Sequence, residues 1–152
     1  MGCEGSGVTL FQLGMNMSLI KIDQALIANP ANSKIWYERG CVLANAGNYT
    51  EALVNFNQAL TLQPGDAKVW VFQSVMLIYL ERYSEALRSC DRALEINPKD
   101  AEALLFRGVA LQRLGRYRMA YASYENALGR GQNVPSGGWQ NLKKIWNSLT
   151  VC

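Results

Sequence analysis

Histidine is absent from this sequence of 152 residues. That removes imidazole general bases, histidine metal ligands and every triad built on them. Proline occurs only four times, and Pro30, Pro64 and Pro98 stand 34 residues apart. Charge is scarce at 18%, too little for a disordered solvating chain, while 49% apolar residues suffice for a core. The excess of fifteen basic over twelve acidic side chains is +3, well short of a dedicated nucleic-acid binder. No apolar run approaches 18 residues, so no membrane span is expected. Paired cysteines are missing too: Cys3, Cys41, Cys90 and Cys152 form no CxxC, which leaves metal and thioredoxin-type chemistry without support. The opening MGCEGSGVTL carries an acid and no cationic region, so a secretory leader is not expected. Free thiols in a reducing cytoplasm follow, with Cys41 and Cys90 as small apolar fillers on helices. The sequons at Asn16 and Asn48 are then idle.

What is present is self-similarity. Tyr49, Tyr83 and Tyr117 keep the proline spacing, as do Ala52, Ala86 and Ala120. Ala25, Ala59, Ala93 and Ala127 extend it to four members, each followed by leucine. Trp36 and Trp70 continue at Leu104, and Gly40 and Gly108 bracket Ser74. Each unit reads as two helices. Proline ends one, because it donates no hydrogen bond and restricts the residue before it. Asn32, Asp66 and Asp100 stand where they can cap the next. Gly47 and Gly115 suit a left-handed helix terminus. The glycines and alanines lack bulk where two helices must approach; Trp36, Trp70, Phe56 and Tyr124 fill the space between.

These columns resemble the tetratricopeptide repeat (TPR), W-x2-L-G-x2-Y…A-x3-F…A…P over 34 residues. Units are expected at 33–66, 67–100 and 101–134, with 17–32 the second helix of a partial repeat and 1–16 irregular or a degenerate first helix. The second unit departs from the pattern at Ser74 and Cys90, and the third loses its proline to Gln132. Beyond a breaker-rich linker, Trp139, Leu142, Trp146 and Leu149 form one stripe, and 135–152 is expected to cap the array. The resemblance implies an all-α fold, a right-handed superhelical array of antiparallel helix pairs.

It also implies a non-catalytic scaffold that binds a peptide or partner protein in a concave groove lined by the first helices. No catalytic constellation, cofactor motif or metal cluster stands against that. Carried over position by position, the groove takes Tyr37, Cys41 and Asn45 from the first unit. The second supplies Lys68, Val71, Phe72, Val75 and Tyr79, and the third Phe106, Val109, Gln112 and Arg113. The family's clamp for acidic chaperone tails is missing, because Tyr37, Cys41, Phe72, Glu102 and Phe106 occupy its Lys, Asn and Arg positions. A largely apolar groove is therefore expected, open to an apolar peptide, a partner helix or a second copy. Homo-oligomers through the groove or the C-terminal helix fit the same pattern. So does a lipid-anchored adaptor, since Met1-Gly2-Cys3-Glu4-Gly5-Ser6 matches an acylation motif. RNA binding ranks behind these, because helical repeats that read bases carry polar pairs where this groove is apolar. Basic residues gather late: residues 77–152 hold eleven against seven acidic, a surface that would steer an acidic partner.

Overall fold

A computed structural model describes residues 9–129. Among them the secondary structure is seven helices: α1 (Leu10–Ala28), α2 (Ser33–Asn45), α3 (Tyr49–Leu62), α4 (Ala67–Tyr79), α5 (Tyr83–Ile96), α6 (Ala101–Arg113) and α7 (Tyr117–Ala127). Helices α2, α4 and α6 begin 34 residues apart, and so do α3, α5 and α7. Each pair packs as a hairpin, α2 on α3, α4 on α5 and α6 on α7, and neighbouring pairs stack through α3 on α4 and α5 on α6.

Local chemistry sets these boundaries. The Asn32 side chain accepts from the Lys34 N–H, Asp66 from Val69, and Asp100 from both Glu102 and Ala103. The indole of Trp36 donates to the Pro30 carbonyl at 2.8 Å, and Trp70 to Pro64 at 2.8 Å, so the tryptophan column staples each proline turn to the helix that follows. At the other end of α2, the Asn48 N–H reaches Leu43 O and the Gly47 N–H reaches Ala44 O. The same double closure recurs at 81–82 and 115–116. This is a Schellman ending, and its pivot needs positive φ. Gly47 (φ 80°) and Gly115 (φ 74°) provide it without strain, but the matching residue in the middle unit is Glu81 at φ 59°. A side chain in the left-handed region costs about 1–2 kcal/mol. Glu81→Gly is therefore expected to stabilise the protein by about 1 kcal/mol and raise its melting temperature by several degrees. An unchanged or lower melt would disprove the strain.

Glycine also decides how closely the hairpins close. A Cβ on Gly40 would lie 2.6 Å from the Phe56 ring, and one on Gly108 2.4 Å from the Tyr124 ring. In the middle unit the pairing is Ser74 with Cys90, both fully buried and hydrogen-bonded through their side chains. One large ring against no side chain thus alternates with two small groups. Ala52, Ala86 and Ala120 are buried at the same crossings.

Helix α4 occupies the centre. Its sequence AKVWVFQSVMLIY is apolar almost all round, as a helix enclosed by neighbours must be. Eight of its thirteen residues are buried. Helix α1 differs from the partial repeat expected. It runs unbroken through the boundary at Asn16–Met17, because nothing between Leu10 and Ala28 interrupts it except the tolerable Gly14. The capping stripe at 139–149 and the acylation motif at 1–6 lie outside the described residues.

Candidate functional site

The first helices of the three hairpins carry the expected groove. Around α2 and α4 the rings of Tyr37, Phe56 and Phe72 form one cluster. Tyr37 meets Phe72 edge-on at 5.6 Å and Phe56 at 6.0 Å, and Phe56 lies 5.9 Å from Phe72. The Lys68 ammonium sits over it, 5.2 Å from the Tyr37 centroid and 5.8 Å from that of Phe72. An exposed cation over aromatic faces is a modest stabiliser that leaves its remaining donors to solvent. Glu102, one repeat on, has its carboxyl pushed above the usual range by partial burial and by Asp100, with Lys68 opposing.

Tyr37, Cys41 and Asn45 come together. With Ile22, Glu38 and Val42 they line a hollow of about 240 Å³ between α1 and α2. Tyr79 is half-buried and stacks on Tyr49 with centroids 4.3 Å apart and planes within 8°. Burial chiefly, and the neighbouring Tyr49, push its phenol up. Gln112 and Arg113 end α6 in solvent, Gln112 accepting from the Tyr124 hydroxyl at 2.8 Å.

One expectation is corrected. Val71, Phe72, Val75 and Phe106 do not form an open apolar strip; all four are core residues, Val71 and Phe106 essentially without exposure. Stacking of the hairpins turns these positions inward, and α4 also touches α6 directly. Val109 packs half-buried against the same core. What remains at the surface of these helices is polar: Lys34, Glu38, Asn45, Lys68, Glu102, Gln112 and Arg113, with Tyr37 at their base.

A second set of columns went unnoticed in the sequence. Arg39 binds Asp23 of α1 at 2.8 Å and Asn55 of α3 at 3.3 Å. Gln73 donates to Asn57 of α3 at 2.6 Å and accepts from Ser89 of α5 at 2.6 Å. Arg107 binds Asp91 of α5 at 2.7 Å and Ser123 of α7 at 2.8 Å. One side chain per repeat thus ties its own second helix to that of the repeat before. The signal was available: each triplet lies sixteen residues either side of positions 39, 73 and 107. These bridges satisfy the buried Asn55, Ser89 and Ser123, and no buried side-chain polar atom among the described residues lacks a partner.

The larger hollow, about 530 Å³, opens beside this bridge between α3, α4 and α5. Trp70 and Gln73 line it, with Arg82, Arg88, Arg92 and their acidic neighbours. Arg92 lies 5.8 Å from the Trp70 ring and pairs with Glu95 at 2.6 Å. Arg82 grips Glu85 through two bonds of 2.7 and 2.6 Å, and this contact holds the Glu85 carboxyl below the usual range. Each of the three carboxylates in the lining of this hollow, Glu85, Asp91 and Glu95, is already held by an arginine. Among the described residues no group of acids and thiols could hold a metal.

Two tetratricopeptide repeat models match the chain, one over residues 33–66 and one over 77–136. The chain belongs to the tetratricopeptide repeat family. Its fold is accordingly the TPR solenoid, a right-handed superhelical array of antiparallel helix pairs. A crystal structure of MamA superposes with a TM-score of 0.74 at 14% identity, covering 94% of this chain and 86% of that one. The Arabidopsis OM64 TPR domain gives 0.65 at 23% identity, over 74% and 95%. The first TPR of Spaghetti (RPAP3), bound to the HSP90 peptide SRMEEVD, gives 0.66 at 22%, over 78% and 93%. The chain spans 63% of the length of MamA AMB-1. Comparison with curated proteins finds no match. No described helix of this TPR array is long and apolar enough to cross a membrane.

Proposed function

We propose that this TPR array is a non-catalytic scaffold that holds a peptide or helical segment of a partner protein across the first helices of its repeats. The observation that carries the reading is the row of exposed polar side chains on α2, α4 and α6, with Lys68 seated over the Tyr37–Phe72 rings. An extended segment lying across these helices would meet a donor or acceptor from each repeat over an aromatic base. That arrangement orients a ligand by polar contacts while the core beneath stays closed. Arg113 and Lys68 favour acidic side chains on the partner. The solved TPR of Spaghetti holds a peptide ending in EEVD. Here hydrophobic residues and Glu102 stand at the positions of the family's carboxylate clamp, so an internal segment is the better fit than a free acidic terminus. We place this work in a reducing cytoplasm, with the buried Cys41 and Cys90 serving as small apolar side chains.

The test is capture from a lysate of the source cells by wild type and by Lys68→Glu/Arg113→Glu. Both substituted side chains are exposed, and losing the Lys68 cation–π contact should lower the melt only modestly. Circular dichroism at the capture temperature should therefore show both proteins folded. A partner held by wild type and lost at least tenfold by the variant supports the reading. Equal capture by both overturns it and moves binding off these helices.

A further inference from the structure

Helix α1 carries two apolar stripes. Met15, Leu19, Ile22 and Leu26 are half-buried, and this side packs on α2. Leu10, Leu13, Met17, Ile20 and Ile27 lie on the opposite side of the helix, all exposed, from 49% at Leu13 to 89% at Leu10. With Gln24 they recur at intervals of three, four, three, four and three, the 3.5-residue period of a coiled-coil seam. No residue of α1 is buried.

The fold itself does not require this face to be apolar. Thirty-four residues on, the positions of Met17, Ile20, Gln24 and Ile27 are Glu51, Val54, Gln58 and Thr61 on α3, all exposed. On α5 they are Glu85, Arg88, Arg92 and Glu95. The middle repeat makes this face charged, while α3 and α7 each keep one large apolar side chain on it, Val54 and Met119. Helix α1 carries three at these positions and extends the row by Leu10 and Leu13, ahead of where the other second helices begin. A row of exposed apolar residues along one helix marks a contact surface, whereas a lone Val54 does not.

We propose that this seam is a dimer interface, α1 of one chain packing along α1 of a second copy. The chemistry of the seam selects that occupant. It contains no charge, so an identical seam fits it knob into hole with nothing ionised taken out of water, whereas a charged foreign helix would strand its ions. Lys21 and Asp23 flank the seam, and Asp23 is already held by Arg39. A lipid surface fits poorly, because an interfacial helix presents several cations around its apolar face and α1 has one. The helix is preformed on α2, so pairing does not have to order it first. The polar surface of α2, α4 and α6 stays free in such a dimer, making it a paired scaffold with two copies of the groove.

Light scattering at roughly 100 μM, where a micromolar self-affinity keeps most chains paired, should read twice the chain mass of 16.9 kDa. Met17→Glu/Ile20→Glu should halve it to a single chain, and Ile27→Glu alone should weaken pairing at least tenfold. These residues are exposed, so helical content should be unchanged. Val54→Glu, the equivalent position on α3, should leave the doubled mass intact. A single-chain mass for wild type overturns the proposal, including the case where residues 1–8 or 130–152 cover the seam within one chain. A doubled mass that survives Met17→Glu/Ile20→Glu overturns it as well, by placing the contact elsewhere.

Discussion

Phe56→Ala is expected to cost about 3–5 kcal/mol, the usual range for deleting a fully buried ring. Phe56 has no exposure, fills the space left by Gly40, and sits 5.9 Å from Phe72 and 6.0 Å from Tyr37. Its loss therefore empties the joint between the first two hairpins as well as the first hairpin itself. Gly40→Ala attacks the same contact from the other side. Its methyl would arrive 2.6 Å from the ring, closer than side chains approach, and overpacking of a closed core costs about 1–3 kcal/mol. Because both changes act on one space, their effects should not add: Gly40→Ala in the Phe56→Ala background should cost less than in wild type, and could gain. Urea unfolding of the four proteins measures this directly. Additive costs would show that ring and glycine do not share the contact, and would undo the account of the hairpin.

The second large effect concerns the middle hairpin, where Ser74 and Cys90 replace glycine and ring. Cys90→Phe alone should destabilise by about 1–3 kcal/mol, because both residues are fully buried and no room exists opposite. Ser74→Gly/Cys90→Phe reproduces the first unit's pairing and should return the protein to within about 1 kcal/mol of wild type. A double variant no better than the single would sink the idea that these positions form one exchangeable pair. The same variant changes the response to alkali. Burial pushes the Cys90 thiol up to about 12 from an ordinary 9.0, with the Ser74 hydrogen bond opposing. A folded-state value above the unfolded one means that the unfolded chain sheds its proton first. Stability is then complete below about pH 9 and is lost as pH rises toward 12. Tyr124, likewise pushed up to about 12 by burial, contributes in both proteins. Wild type should thus lose more stability between pH 8 and pH 10.5 than Ser74→Gly/Cys90→Phe. Parallel losses would remove Cys90 from the account.

Periodicity made the hairpins legible before any coordinate. Proline, tyrosine, alanine and tryptophan columns act locally, through φ restriction, capping and small-residue crossings. A 34-residue register therefore determined where α2 to α7 lie, that Gly40 and Ala52 stand where two helices approach closely, and that the family is TPR. Glu81 was equally local: a non-glycine in the Gly47–Gly115 column announces strain. Tertiary structure decided which side of each first helix meets water. The family's groove positions on α4 carry Val71, Phe72 and Val75, and a helix apolar all round gives no sign of which stripe neighbours will cover; enclosure by α3, α5 and α6 covers them all. The Arg39, Gln73 and Arg107 bridges are long-range in the same sense, since a polar column becomes a tie only when stacking brings side chains of the flanking helices within hydrogen-bond distance. The outer seam of α1 needed both: its 3.5-residue period is written in the chain, but only the packing of Leu19 and Leu26 on the α2 side left Leu10, Met17, Ile20 and Ile27 facing solvent.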